Sequence, residues 1–182
     1  MTAFATAPPG ESHSAGPRPT RLQRWIQRAA ASPQITRALA AMIHPIDRRL
    51  LQLSGDRLCL TTISTGLPVR LVTTTGARTG LPRTHPLTTL RNGDRLALIA
   101  SNFGGSRFPA WYHNLRAQPL ARVHLAGRQQ RFRARLASAE ERARWWAMAV
   151  ELYPGYADYE RRAAPRRIPI FVLEPEAQAE AR

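Results

Sequence analysis

Three stretches of this sequence carry side chains able to do chemistry. The first is Thr73-Thr74-Thr75-Gly76-Ala77-Arg78-Thr79-Gly80-Leu81-Pro82-Arg83. Two glycines alone would turn a hairpin here, yet the segment adds two arginines and four hydroxyls. Glycine lets backbone N–H groups turn toward one point, and arginine offers a planar fork to phosphate or carboxylate. Two readings stand: a decorated polar loop, and an anion cradle built from Gly76, Gly80, Arg78 and Arg83, with Thr75 and Thr79 as hydroxyl donors. The second stretch is Ala100-Ser101-Asn102-Phe103-Gly104-Gly105, followed by Phe108-Pro109-Ala110-Trp111-Tyr112-His113-Asn114-Leu115. A small, polar, glycine-rich loop lets a flat ring approach the backbone, and the helix N-terminus after it favours negative charge. Trp111 reads first as a core residue. The third is Tyr153-Pro154-Gly155-Tyr156-Ala157-Asp158-Tyr159. Its phenols recur every three residues beside a helix break and could wall a pocket with stacking surface and donors.

Positioning these groups takes a scaffold, and the hydrophobic pattern describes one. Short runs rich in Thr, Val, Leu and Ile predict strands at 57–63, 67–75, 83–90, 94–101, 120–126 and 129–137, with a last one in IPIFVLEP. Asn92-Gly93 is a two-residue hairpin signal and Gly127 marks another turn. A helix is predicted over 109–117. Ser138 with Glu141 forms a capping box and opens a helix whose Trp145, Trp146, Ala149, Val150 and Tyr153 face the sheet; Pro154-Gly155 breaks it. Before the strands, Thr20 caps a helix carrying Leu22, Trp25, Ile26 and Ala29 at helical spacing, which Pro33 ends. A second helical stretch from Gln34 sets Ile35, Leu39, Met42 and Ile43 on one side. Many short antiparallel strands with a few helices define an α+β class, mainly β, closed as a small barrel.

The division predicted is a tail at 1–19, an amphipathic helical region at 20–55, a barrel domain at 56–175 and a tail at 176–182. The chain has 182 residues and a net charge of +15, and its 27 basic residues are all arginine. Such a charge attracts polyanions or an anionic membrane, and the Arg-flanked N-terminal region is the candidate membrane contact. The arginines are dispersed, which counts against a dedicated nucleic-acid surface. The first 20 residues lack a signal-peptide apolar region, so the expected compartment is the cytoplasm, with a peripheral position on the inner face of the plasma membrane as its variant. Cys59, the single cysteine, reads as buried core. No spacing of His, Cys, Asp or Glu predicts a metal site, and no nucleophile elbow or phosphate-binding P-loop is present.

Taken together, TTTGARTGLPR, ASNFGG, FPAWYHNL, YPGYADY and IPIFVLEP, in that order over roughly residues 67–175, resemble the deazaflavin-dependent nitroreductase family of actinobacteria, which includes quinone reductases. The resemblance implies a split β-barrel of the flavin-binding type. It also implies reduced coenzyme F420, a deazaflavin with a phosphate-bearing oligoglutamate tail, as hydride donor to a quinone, enone or nitro-aromatic acceptor. It implies Thr75, Arg78, Thr79, Gly80 and Arg83 as tail ligands, and Ser101 and Asn102 near the ring. Trp111 and Asn114 would support the pocket. Tyr153, Tyr156 and Tyr159 would lie on the substrate side, with Tyr153 or Ser101 donating to the acceptor oxygen. Ala77 stands where relatives often carry Arg, and Asn102 where some carry Lys. Two other readings remain: a split barrel that binds flavin mononucleotide or haem, and a basic nucleic-acid module.

Overall fold

The computed structural model describes Thr20, Gln23, residues 33–55 and residues 58–176, the side chains of 33–41 excepted. Among these, six strands close an antiparallel barrel in the order β1-β2-β3-β6-β5-β4. They are β1 (Val69–Thr75), β2 (Pro82–Asn92), β3 (Arg95–Ile99), β4 (Leu120–Leu125), β5 (Arg128–Leu136) and β6 (Ile170–Pro175). Pairing of Val72 with Val123 seals β1 to β4. Around the barrel lie α1 (Pro33–Ser54), α2 (Leu60–Thr65), α3 (Ala110–Ala117), α4 (Ala139–Leu152) and α5 (Gly155–Ala163). The predicted class, mainly β with flanking helices in a split barrel, is the one observed.

Strand alternation builds two cores from the same residues. On β3, Leu96 and Leu98 join one buried cluster with Val72, Val123, Phe132, Phe171 and Leu173. Their neighbours Ala97 and Ile99 join another with Trp145, Ala149, Ile170 and Val172. Successive strand side chains point to opposite faces, so β3 and β6 are covered on both. That explains the nearly continuous apolar runs RLALIA and PIFVL.

The turns follow from backbone conformation. Leu125 pairs with Arg128, leaving Ala126 (φ 50°) and Gly127 (φ 75°) in the left-handed region, the geometry that matches strand twist. Asn92 itself pairs with Arg95, so the second turn is Gly93-Asp94, one residue beyond the dipeptide signal.

One predicted strand is a helix. Leu60–Thr65, which overlaps the predicted strand 57–63, forms α2. Its β-branched composition reads as strand, but the fully buried Asp47 accepts from Leu60 N at 2.7 Å and from Thr61 N at 3.3 Å, and its other oxygen accepts from the Thr61 hydroxyl. Thr65 and Ser64 hydroxyls then donate to the carbonyls of Thr61 and Leu60. A carboxylate 13 residues away therefore satisfies the helix start and overrides propensity. A second helix, α5, starts immediately after the Pro154-Gly155 break, where none was predicted.

Thr20 and Gln23 cap each other reciprocally, and Gln23 Nε2 reaches Ile63 O at 3.0 Å. The tail 1–19, the remainder of that first helix and the residues after 176 lie outside the described residues. Pro33 is the first residue of α1, a position its missing N–H tolerates. Met42 is 70% exposed whereas Ile43 faces a cavity, so these two do not share one buried stripe. Cys59 is buried.

The Ser138–Glu141 capping box is present and is tied to the barrel. Arg135 donates to both Glu141 oxygens at 2.6 and 2.7 Å, and to Glu174 at 2.8 Å. The Arg135 hydrogen bonds, then the Ser138 N–H, hold the Glu141 carboxyl down to about 2. A depressed carboxyl pKa stabilises the fold above the unfolded value and loses that effect as pH falls toward the folded one. Because the Arg135 side chain is 40% exposed, the contribution is about 1 kcal/mol. Urea melts of Glu141→Gln should show this loss at pH 7. The difference from the unaltered chain should shrink as pH drops from about 4.5 toward 2.

Candidate functional site

A cavity of about 460 Å³ opens beside the barrel between α1, α2, β2, the 100–105 loop, the start of α3 and the tyrosines of α4 and α5. Its most ordered wall is aromatic. Tyr153, Tyr156 and Tyr159 are each buried and pack pairwise with ring centroids 5.6 to 5.8 Å apart. These are edge-to-face distances. The Tyr153 and Tyr159 hydroxyls share a hydrogen bond of 3.3 Å. Burial, above all, pushes the Tyr156 and Tyr159 phenols above the ordinary tyrosine range, while a hydrogen bond with Thr88 pulls Tyr156 partly back. Both therefore remain protonated at neutral pH. Gly155 makes room for the cluster, because a Cβ there would meet the Tyr153 ring at 2.3 Å.

The floor is the 100–105 loop. Asn102 (φ 49°), Phe103 (φ 54°) and Gly104 (φ 76°) are successive left-handed residues. That conformation is costly for a bulky side chain and persists only where the surroundings enforce it. The enforcement is visible. Arg166 donates to Ala100 O, to Ser101 O at 2.9 Å and to Gly105 O at 2.7 Å, and stacks over Phe108 at 4.8 Å. Asn102 Nδ2 donates to Arg107 O at 2.9 Å. Gly104 lies against α5, where a Cβ would be 2.9 Å from Tyr159 O.

Ser101, Asn102, Trp111, Tyr153, Tyr156 and Tyr159 thus meet at one cavity, although the sequence spreads them over nearly sixty positions. Trp111 is both: it is buried in the barrel cluster and lines the cavity. Thr75, Arg78, Thr79, Gly80 and Arg83 belong to the β1–β2 hairpin and do not line it. Within that hairpin, Gly76 N donates to Leu81 O at 2.9 Å and Gly80 N to Gly76 O at 2.8 Å. Ala77 N donates to Asn114 Oδ1 at 3.0 Å, and Leu81 N to Thr79 Oγ1 at 3.3 Å. These N–H groups are spent inside the protein, so the glycines do not present converging backbone donors. What the loop offers an anion is its exposed arginine side chains, Arg78 and Arg83. Asn114, also outside the cavity lining, is buried and clamps the hairpin to α3, since its Nδ2 donates to Thr74 Oγ1 at 3.0 Å.

Sequence reasoning missed His44, Asp47, His85, Thr88 and Arg166. The histidines read as isolated, yet His44 on α1 and His85 on β2 line the same cavity. The only signal was strand alternation, which puts Arg83 and His85 on one face of β2. No local pattern brings α1 against that strand.

The comparisons with known proteins agree with this geometry. Residues 49–175 match the family model described as F420H(2)-dependent quinone reductase. The F420H(2)-dependent quinone reductase of Mycobacterium tuberculosis (strain ATCC 25618 / H37Rv) is 37% identical over 155 residues, 84% of this chain and 97% of that protein. A solved F420-H2 dependent reductase is 39% identical, with a TM-score of 0.55 over 59% of this chain and 94% of its own. A solved domain-swapped dimer aligns at the same identity and TM-score, covering 80% of its own chain. The barrel shared with the solved F420-H2 dependent reductase, together with the family match, defines an F420H(2)-dependent oxidoreductase. Within that class, the chain belongs to the F420H(2)-dependent quinone reductase family.

Removing the Asn114 clamp tests how firmly α3 holds the hairpin. Asn114→Ala leaves Ala77 N–H and the Thr74 hydroxyl without their partner, a cost of about 2 kcal/mol. The melting temperature should fall by about 4–8 °C in differential scanning calorimetry.

Proposed function

We propose that this chain takes up reduced coenzyme F420 and catalyses hydride transfer to a quinone, with the cofactor ring on the 100–105 loop and the acceptor against the tyrosines. The observation that carries the reading is the meeting of Ser101, the left-handed Asn102 and Phe103 beside it, and the three phenols at one cavity. The fit is reasonable in size and character. A cavity of about 460 Å³ lies in the range of small-molecule sites, and its aromatic wall suits flat rings.

When bound, the reduced deazaflavin supplies a hydride, as nicotinamide does. The chain's own groups then bind and orient. Ser101 and Asn102 sit where a ring can approach the backbone. Tyr153, fixed by Tyr159, points a phenol donor toward the acceptor oxygen. Trp111 closes the floor, and Asn114 holds the neighbouring hairpin in register. Arg78 and Arg83 form the cradle for the cofactor's anionic tail through their guanidinium forks, with the Thr75 and Thr79 hydroxyls beside them. Arg83 contributes a charge felt at the cavity residue His85, which supports placing the cradle at the cavity edge. The acceptor has access from the α1–α2 side. There Met42, Ile46 and Ile63 expose apolar surface, and a basic chain of this kind can rest on anionic lipid.

Two measurements test the reading. Arg78→Ala combined with Arg83→Ala should weaken binding of reduced coenzyme F420 by more than about tenfold, followed by its fluorescence. Unchanged affinity would reduce the hairpin to a structural element. Tyr153→Phe should lower kcat with little change in cofactor affinity; equal losses in both would move that phenol to the cofactor side.

A further inference from the structure

Two imidazoles, those of His44 and His85, line the same cavity, and nothing above uses them. His85 is half-buried on β2, and His44 stands exposed on α1 at the rim. The charge of His44 acts on His85, as do those of Arg48 from α1 and Arg83 on its own strand. Asp47 is the carboxylate that bears on His44. Quinone reduction to the hydroquinone takes one hydride and one proton, and a site for the second must exist. The phenols are badly placed to supply it. Tyr156 and Tyr159 are held protonated by burial, and the Tyr153 hydroxyl faces Tyr159 within the same buried cluster.

We propose that His85, replenished from solvent through His44, is the catalytic acid that protonates the reduced acceptor. This rests on the quinone reductase reading. In the step, a hydride from the reduced deazaflavin enters the quinone, the deazaflavin is oxidised, and an acceptor oxygen becomes an oxyanion. The His85 imidazolium N–H bond then breaks as the acceptor O–H bond forms. The neutral imidazole regains its proton from water by way of His44.

The surroundings suit the task. Burial first, then the positive charges of His44, Arg48 and Arg83, lower the pKa of His85 below its ordinary 6.5. Desolvation also lowers that of His44, against the pull of Asp47. A lowered pKa makes the His85 imidazolium a stronger acid toward the forming oxyanion, and the share of chains that carry that proton falls as pH rises. The same cations, Arg48 and Arg83, favour that oxyanion electrostatically.

The experiment pairs kinetics with a measurement that needs no cofactor. In the unaltered chain, kcat with 2-methyl-1,4-naphthoquinone should fall as pH rises through a limb below pH 6.5. His85→Gln should lower kcat by about a hundredfold and abolish that limb. The acceptor KM and the fluorescence-measured cofactor affinity should stay within about twofold. His44→Gln, an exposed change on α1, should lower kcat by about tenfold, and it serves if His85→Gln does not fold. Independently, histidine ring NMR of the unaltered chain should show His85 titrating below pH 6.5 and shifting when the quinone alone is added. If His85→Gln keeps both its kcat and its pH limb, or the quinone leaves the His85 resonance unmoved, the assignment is overturned. If the unaltered chain does not oxidise the reduced coenzyme with any quinone, the quinone reductase reading itself falls.

Discussion

Arg166 donates to the carbonyls of Ala100, Ser101 and Gly105 and covers the Phe108 ring. Without that guanidinium, Asn102 and Phe103 would have to hold left-handed backbone against their own steric preference. Its burial lowers its pKa, through desolvation. The carbonyls that share its charge make that position tolerable. The arrangement fixes more than a loop. Arg166 follows α5, so the segment that carries Tyr156 and Tyr159 is joined directly to the floor those tyrosines face. Floor and wall of the cavity are therefore one mechanical unit.

The barrel supplies the rigid side of that unit. β3 ends at Ile99, one residue before the loop, and is paired on both sides, with β2 and β6. A one-residue slip of such a strand would put Ala97 and Ile99 where Leu96 and Leu98 pack and the reverse, mismatching both cores. Loop residues that leave such a strand inherit its position. The hairpin is held differently. Its strands are in register, but its tip depends on Asn114 reaching across from α3. A buried amide with both ends satisfied confers position as well as stability.

Helices α1 and α2 form the third side, and a single carboxylate joins them. Asp47 is fully buried and caps α2 through Leu60 and Thr61. α2 buries no residue of its own, so packing alone would not keep it helical. Two histidines, a capping carboxylate and the three phenols thus line one cavity.

The amino-acid sequence by itself determined the class of fold, because alternating apolar residues and turn chemistry are local properties. It marked the β1–β2 and β4–β5 turns and the Ser138–Glu141 box, whose partners lie within a few positions. It also singled out Ser101, Asn102, Trp111 and the three tyrosines as chemistry-bearing. Tertiary structure alone decided what long-range hydrogen bonds impose. Asp47 turned a β-branched run into α2, Arg166 forced the loop into its conformation, and Asn114 consumed an N–H that the hairpin pattern seemed to offer an anion. It alone set His44 beside His85. No spacing rule relates residues 41 positions apart. Their meeting follows from where α1 crosses β2, and packing free energy summed over the whole chain sets that crossing.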